Sequence, residues 1–256
     1  MIVELDQQLT AALAAGNAVP FVVFKDGRYT DAVRCMFFSL MSAGVSPNKA
    51  PDTLYDILTS ARLVPAEPGA KSRFMRQWPA RSTVQNMNVE RGMLAEMDAC
   101  EKLLAQPDGG AALGTDEATK CGGSRFAIGF CANVDGPGSN IFDCALGVEA
   151  MAGGTAEDER DAVLRLLGSL AKHYNLSRAA KHEELVTVED LLVKFGATMS
   201  DSAATAKKTN RLIFDIIAEA SSKRSGQTKE EASADLKQFF CWLHKGINLC
   251  KVLNWV

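Results

Sequence analysis

The chain has 256 residues, 47% of them hydrophobic and 23% charged, with a net charge of −3 at neutral pH. That is the make-up of an ordinary soluble globular protein, long enough to bury a large core. It excludes a global positive field that would draw the whole chain to nucleic acid or an anionic membrane, but not a local basic patch.

Residues 2–15 predict a short amphipathic helix closed by Gly16 and Asn17. The β-branched and aromatic run from Val19 to Phe24, followed by Asp26-Gly27, signals one hairpin ending near Arg28. Helices are expected over 31–43, stopped by Gly44, and from Pro51 or Asp52 to Arg62. Leu63 to Pro79 contains Pro65, Pro68, Gly69 and Pro79 and is predicted to be linker or exposed loop. A long helix follows from about Ser82 to Gln106, with Val84, Met87 and Met97 on its buried stripe and Gly92 weakening its middle. The eight glycines of 107–138 predict loop around one strand-like or buried run, Arg125 to Val134.

From Ser139 onward, caps and 3.6-residue periodicity predict helices over 139–152, 155–174, 187–195 and 201–220. Thr228 with Glu231 forms a capping box for a last helix. The expected fold is mainly α, a two-lobed helical domain with at most one short N-terminal β-hairpin. Its parts are an N-terminal helical lobe, 1–110, with a basic loop at 63–81; a glycine-rich connecting segment, 111–138; and a C-terminal helical lobe, 139–256, with an apolar terminal helix.

Motifs for chemistry fall short. Gly136 and Gly138 begin a dinucleotide-type loop, but Ile141 stands where its third glycine belongs. His182-Glu183-Glu184-Leu185-Val186 starts like a helical zinc site and has Val186 in place of the second histidine. The seven cysteines follow no repeated spacing and form no Cys-x-x-Cys pair. We therefore expect no catalytic motif, no metal and no cofactor, while an enzyme whose groups meet only in space stays open. The odd cysteine count and the absence of a secretory start suggest an intracellular, cytoplasmic setting. No run is apolar enough for membrane insertion.

Two features point to binding. Lys71, Arg73, Arg76, Arg81 and Arg91 lie within 21 residues, with Glu90 the only acid among them and Phe74 and Trp78 interleaved. Arginine forks suit phosphates, and exposed aromatic rings stack on unpaired bases. The competing view has both rings anchoring the segment in the core and the arginines facing water or acids. The second feature is Phe239 to Val256, in which 12 of 18 residues are apolar. Phe239, Phe240, Trp242, Leu243, Ile247, Leu249, Leu253 and Trp255 are too many for one face of a surface helix. They belong either in the chain's own core or against a second subunit. Together the features suggest a non-enzymatic, self-assembling homo-oligomer that coats single-stranded RNA, in the manner of a nucleoprotein or filament coat. A protein-binding adaptor using the apolar terminal helix is the alternative.

Overall fold

A computed structural model of the chain describes residues 22–64, 67–120, 123–133, 141–151, 154–201 and 203–240. The chain divides into two units, Met1–Leu94 and Ala95–Val256.

In the first unit, Asp26 and Gly27 have φ values of 51° and 78°. Left-handed residues at both turn positions match the twist of the strands they join. They connect β1 (Phe24–Lys25) to β2 (Arg28–Tyr29) in an antiparallel pair. α1 (Asp31–Ser42) and α2 (Ala50–Ser60) follow, the latter with proline in its first turn, where no helical hydrogen bond is lost. α3 (Ala70–Gln77) leads to α4 (Arg81–Leu104), within which the division between the units falls. Val33 and Phe37 of α1, Leu54 and Tyr55 of α2, Phe74 of α3 and Val84 of α4 form one buried cluster.

The second unit is built on a five-stranded sheet. Its strands are β3 (Ala111–Lys120), β4 (Gly123–Asn133), β5 (Ile141–Met151), β6 (Phe195–Ser200) and β7 (Lys237–Phe240), in the order β5-β4-β3-β6-β7. β3, β4 and β5 are antiparallel, whereas β6 runs parallel to β3 and β7 parallel to β6. α5 (Ala156–Ala180) and α6 (Val188–Leu192) separate β5 from β6; α7 (Ala204–Ser225) and α8 (Lys229–Ala234) separate β6 from β7. Leu113, Phe126, Ile128 and Phe130 bury one sheet face in a cluster with Leu167 and Leu170 of α5 and Ile213 and Ile217 of α7.

This mixed sheet overturns the mainly helical fold with at most one hairpin. The hairpin at Asp26-Gly27 is present and the strand-like run at 125–134 falls on β4, but the second unit otherwise pairs strands where loop and helix were expected. The glycine-rich stretch forms β3 and β4 because its alternate residues, Leu113 and then Phe126, Ile128 and Phe130, bury one face. Alanine and glycine, poor strand formers alone, fill much of the rest. Gly129 lies where the register shifts, and a Cβ there would come within 2.9 Å of the Cys144 carbonyl oxygen. Only glycine permits that approach. The helix expected over 139–152 is β5, whose Ala, Leu, Glu and Met favour helix locally but pair along β4 instead. The predicted loop at 63–79 contains α3, and the last helix ends at Ala234, with β7 following it. The predicted helix over 2–15 lies outside the described residues, as do Trp242, Leu243, Ile247, Leu249, Leu253 and Trp255. Among the described residues, no helix is long and apolar enough to cross a membrane.

Candidate functional site

The basic segment is helical rather than extended, and that decides which side chains face water. Phe74 and Trp78 are four residues apart and turn inward together, at 5% and 7% exposure. Their rings stack with centroids 4.6 Å apart. Tyr55 meets Phe74 edge-on at 5.2 Å, and Phe37 lies 6.5 Å from Trp78. Burial withdraws both rings from any base, so neither offers a stacking platform.

The cations divide into two sets. Lys71 Nζ pairs with Asp52 Oδ1 at 2.7 Å and lies 5.5 Å from the centre of the Tyr55 ring. Its hydrogen bond to Asp52 holds its pKa above the ordinary lysine value. Arg73 pairs with Glu67, and Arg91 donates to the Ser42 hydroxyl at 3.0 Å. Arg76 and Arg81 are exposed and, among the described residues, have no acid within pairing distance. They stand at the end of α3 and the start of α4.

The start of α4 adds to the charge of Arg81, whereas Arg76 lies in the last turn of α3, at the negative end of its dipole. α5, α6 and α8 each carry at least two acids in the first turn, which offset the positive end of the helix dipole. α3 and α4 carry none there, and α4 instead begins with Arg81. The α3–α4 junction thus combines two guanidinium groups that have no acidic partner among the described residues with the start of α4, which carries no acid in its first turn. The sequence marks Arg76 and Arg81 as cations; it does not mark their lack of partners, which depends on where Asp52 and Glu67 fall.

In the second unit, Glu96 accepts from Ser169 Oγ at 2.9 Å and meets His173 Nδ1 at 2.6 Å, both through Oε2. The carboxylate stands between the two, so the histidine is not placed to take the serine proton. Burial pushes the Cys100 thiol up to about 12, which keeps it protonated and non-nucleophilic at neutral pH. Burial also raises Cys131 and Cys144. A cavity of about 740 Å³ is lined in part by Arg224, which pairs with Asp190 at 2.6 Å and lies 3.6 Å from Asp108. No group of three or more His, Cys, Asp or Glu among the described residues is placed to hold a metal. No protein-family model matches the chain, and no curated protein matches it.

Proposed function

We propose that the chain is a non-enzymatic, self-assembling protein that binds single-stranded RNA through the phosphate backbone at the junction of α3 and α4. The observation that carries this reading is the pair Arg76 and Arg81, exposed and, among the described residues, without acidic partners, beside the start of α4, which lacks acids in its first turn. A phosphate oxygen supplies the charge that this junction lacks. Because Phe74 and Trp78 are buried, the contact is electrostatic and indifferent to base identity. Self-association rests on the apolar stretch beginning at Phe239, which is 51% exposed where it is described.

Fluorescence anisotropy with a labelled homopolymeric oligoribonucleotide over a salt series tests the RNA half. Each phosphate contact on a single strand contributes about −0.7 to the slope of log affinity against log salt. Replacing Arg76 and Arg81 together with Ala should flatten that slope by about 1.4. The circular dichroism spectrum should not change. Absence of binding by the wild-type protein, or a slope unaltered in the double variant, would reject this site.

A further inference from the structure

The strand register lines up one sheet face of the second unit. Phe239, Met199, Gly114, Gly129 and Ala145 fall in a single row across β7, β6, β3, β4 and β5. A neighbouring row holds Ala197, Ala112, Cys131 and Asp143. This is the face opposite Leu113 and Phe130, and it borders a shallow trough of about 410 Å³. The floor is small and apolar, while Met199 and Phe239 stand beside it at 43% and 51% exposure. Asp116, Asp143 and Asp201 also line the trough, and none of them has an ion pair among the described residues.

The chain supplies a segment of matching chemistry. Residues 241–256 contain ten apolar side chains, two of them tryptophan, and their only side chains charged at neutral pH are Lys245 and Lys251. They follow directly from β7, where Phe239 and Phe240 pair with Met199 and Ser200 at the edge of the trough. Large apolar groups suit a floor of glycine and alanine, and two lysines suit a rim of three aspartates. A segment leaving beside a trough that fits it exchanges readily between two copies, since each copy then gives and receives the same contact.

We propose that residues 241–256 of one copy dock on this sheet face of a second copy, large side chains over Gly114, Gly129 and Ala145 and the lysines toward Asp116 and Asp143. The proposal rests on the self-association half of the function proposed above and names its contact surface. It places the contact on the second unit and leaves the RNA-binding arginines of the first unit out of it.

Sedimentation equilibrium of the full chain, beside the Ala145→Arg and Leu249→Asp variants, tests it. Ala145 is exposed, so arginine fits there without disturbing the core while filling the trough and opposing the lysines. Each variant should weaken association about tenfold or more, a change of about 1.4 kcal/mol or greater. A zero-length carboxyl–amine cross-linker applied to mixed isotopically heavy and light protein should join Lys245 or Lys251 to Asp116, Asp143 or Asp201 in heavy–light pairs. Cross-links confined to one isotope would place the segment on its own sheet and overturn the exchange. Association that persists unchanged in Ala145→Arg would overturn this surface while leaving self-assembly standing. A wild-type protein that is monomeric throughout would overturn both.

Discussion

The two units differ in sign. Residues 1–94 contain ten lysines and arginines against eight acids, whereas residues 95–256 contain eighteen against twenty-three. The net charge of −3 hides this division. The second unit also engages many of its cations: Arg165 with Glu149, Lys194 with Asp108, Lys208 with Glu157 and Arg224 with Asp190. In the first, Arg76 and Arg81 have no ion pair among the described residues. The first unit carries a net +2 (10 − 8) and the second −5 (18 − 23), a difference that a whole-chain isoelectric point does not convey.

The strongest way to break the comparison is to unfold one unit and watch the other. Phe37 is fully buried in the first cluster and Leu167 in the second. Phe37→Ala should cost about 3–5 kcal/mol and Leu167→Ala about 2–5 kcal/mol. In differential scanning calorimetry each should lower the transition of its own unit. A substitution that lowers both transitions equally would show that α4, which belongs to both, couples them.

A smaller effect separates the units by pH. Glu159 of α5 is 2% exposed, and its carboxylate accepts a hydrogen bond from the Thr209 hydroxyl of α7. Burial raises its pKa, Glu117 and Asp201 add to the rise, and the Thr209 hydrogen bond opposes it. A carboxyl with a folded-state pKa above the unfolded value near 4.3 favours folding in its protonated form. That contribution is complete at low pH and is lost as pH climbs through the raised value. Thermal melts at rising pH, starting from about 4.3, should show the second unit losing stability relative to Glu159→Gln. The first unit should give the same difference at every pH. A variant whose pH profile overlays the wild type would remove Glu159 as the cause.

Legibility followed the same division. α1, α2, α4, α5 and α7 announce themselves by period and by end signals, and the Thr228–Glu231 capping box is formed as expected. β3 and β5 do not, and β4 does so only as a strand-like or buried run, because their strand character comes from pairing with each other rather than from their alanines and glycines. In the basic segment the error has a specific origin. Phe74 and Trp78 have helical spacing, but the surrounding prolines favour a loop reading, in which that spacing carries no message. Once α3 is helical, both rings share one face and turn inward together. The pairing of Lys71 with Asp52 spans 19 residues of sequence and needs α2 packed beside α3. No local pattern reports it.

The finest test asks whether Arg76 and Arg81 matter by position or only as part of a positive unit. Arg62 serves as the control. It ends α2 with φ of 58°, a left-handed conformation in which its amide donates to Thr59 O at 3.0 Å. A non-glycine residue is strained there by about 1–2 kcal/mol, and glycine is the natural helix terminator. Among the described residues Arg62 has no acidic partner, so Arg62→Gly removes one positive charge without breaking a pair. We expect the first unit to gain roughly 0.5–1 kcal/mol in thermal denaturation, after allowance for the added freedom of the unfolded chain. The salt slope for RNA binding should stay within error of wild type, whereas Arg76→Ala should flatten it by about 0.7. Equal flattening in both variants would mean that RNA senses the charge of the unit as a whole rather than the junction of α3 and α4.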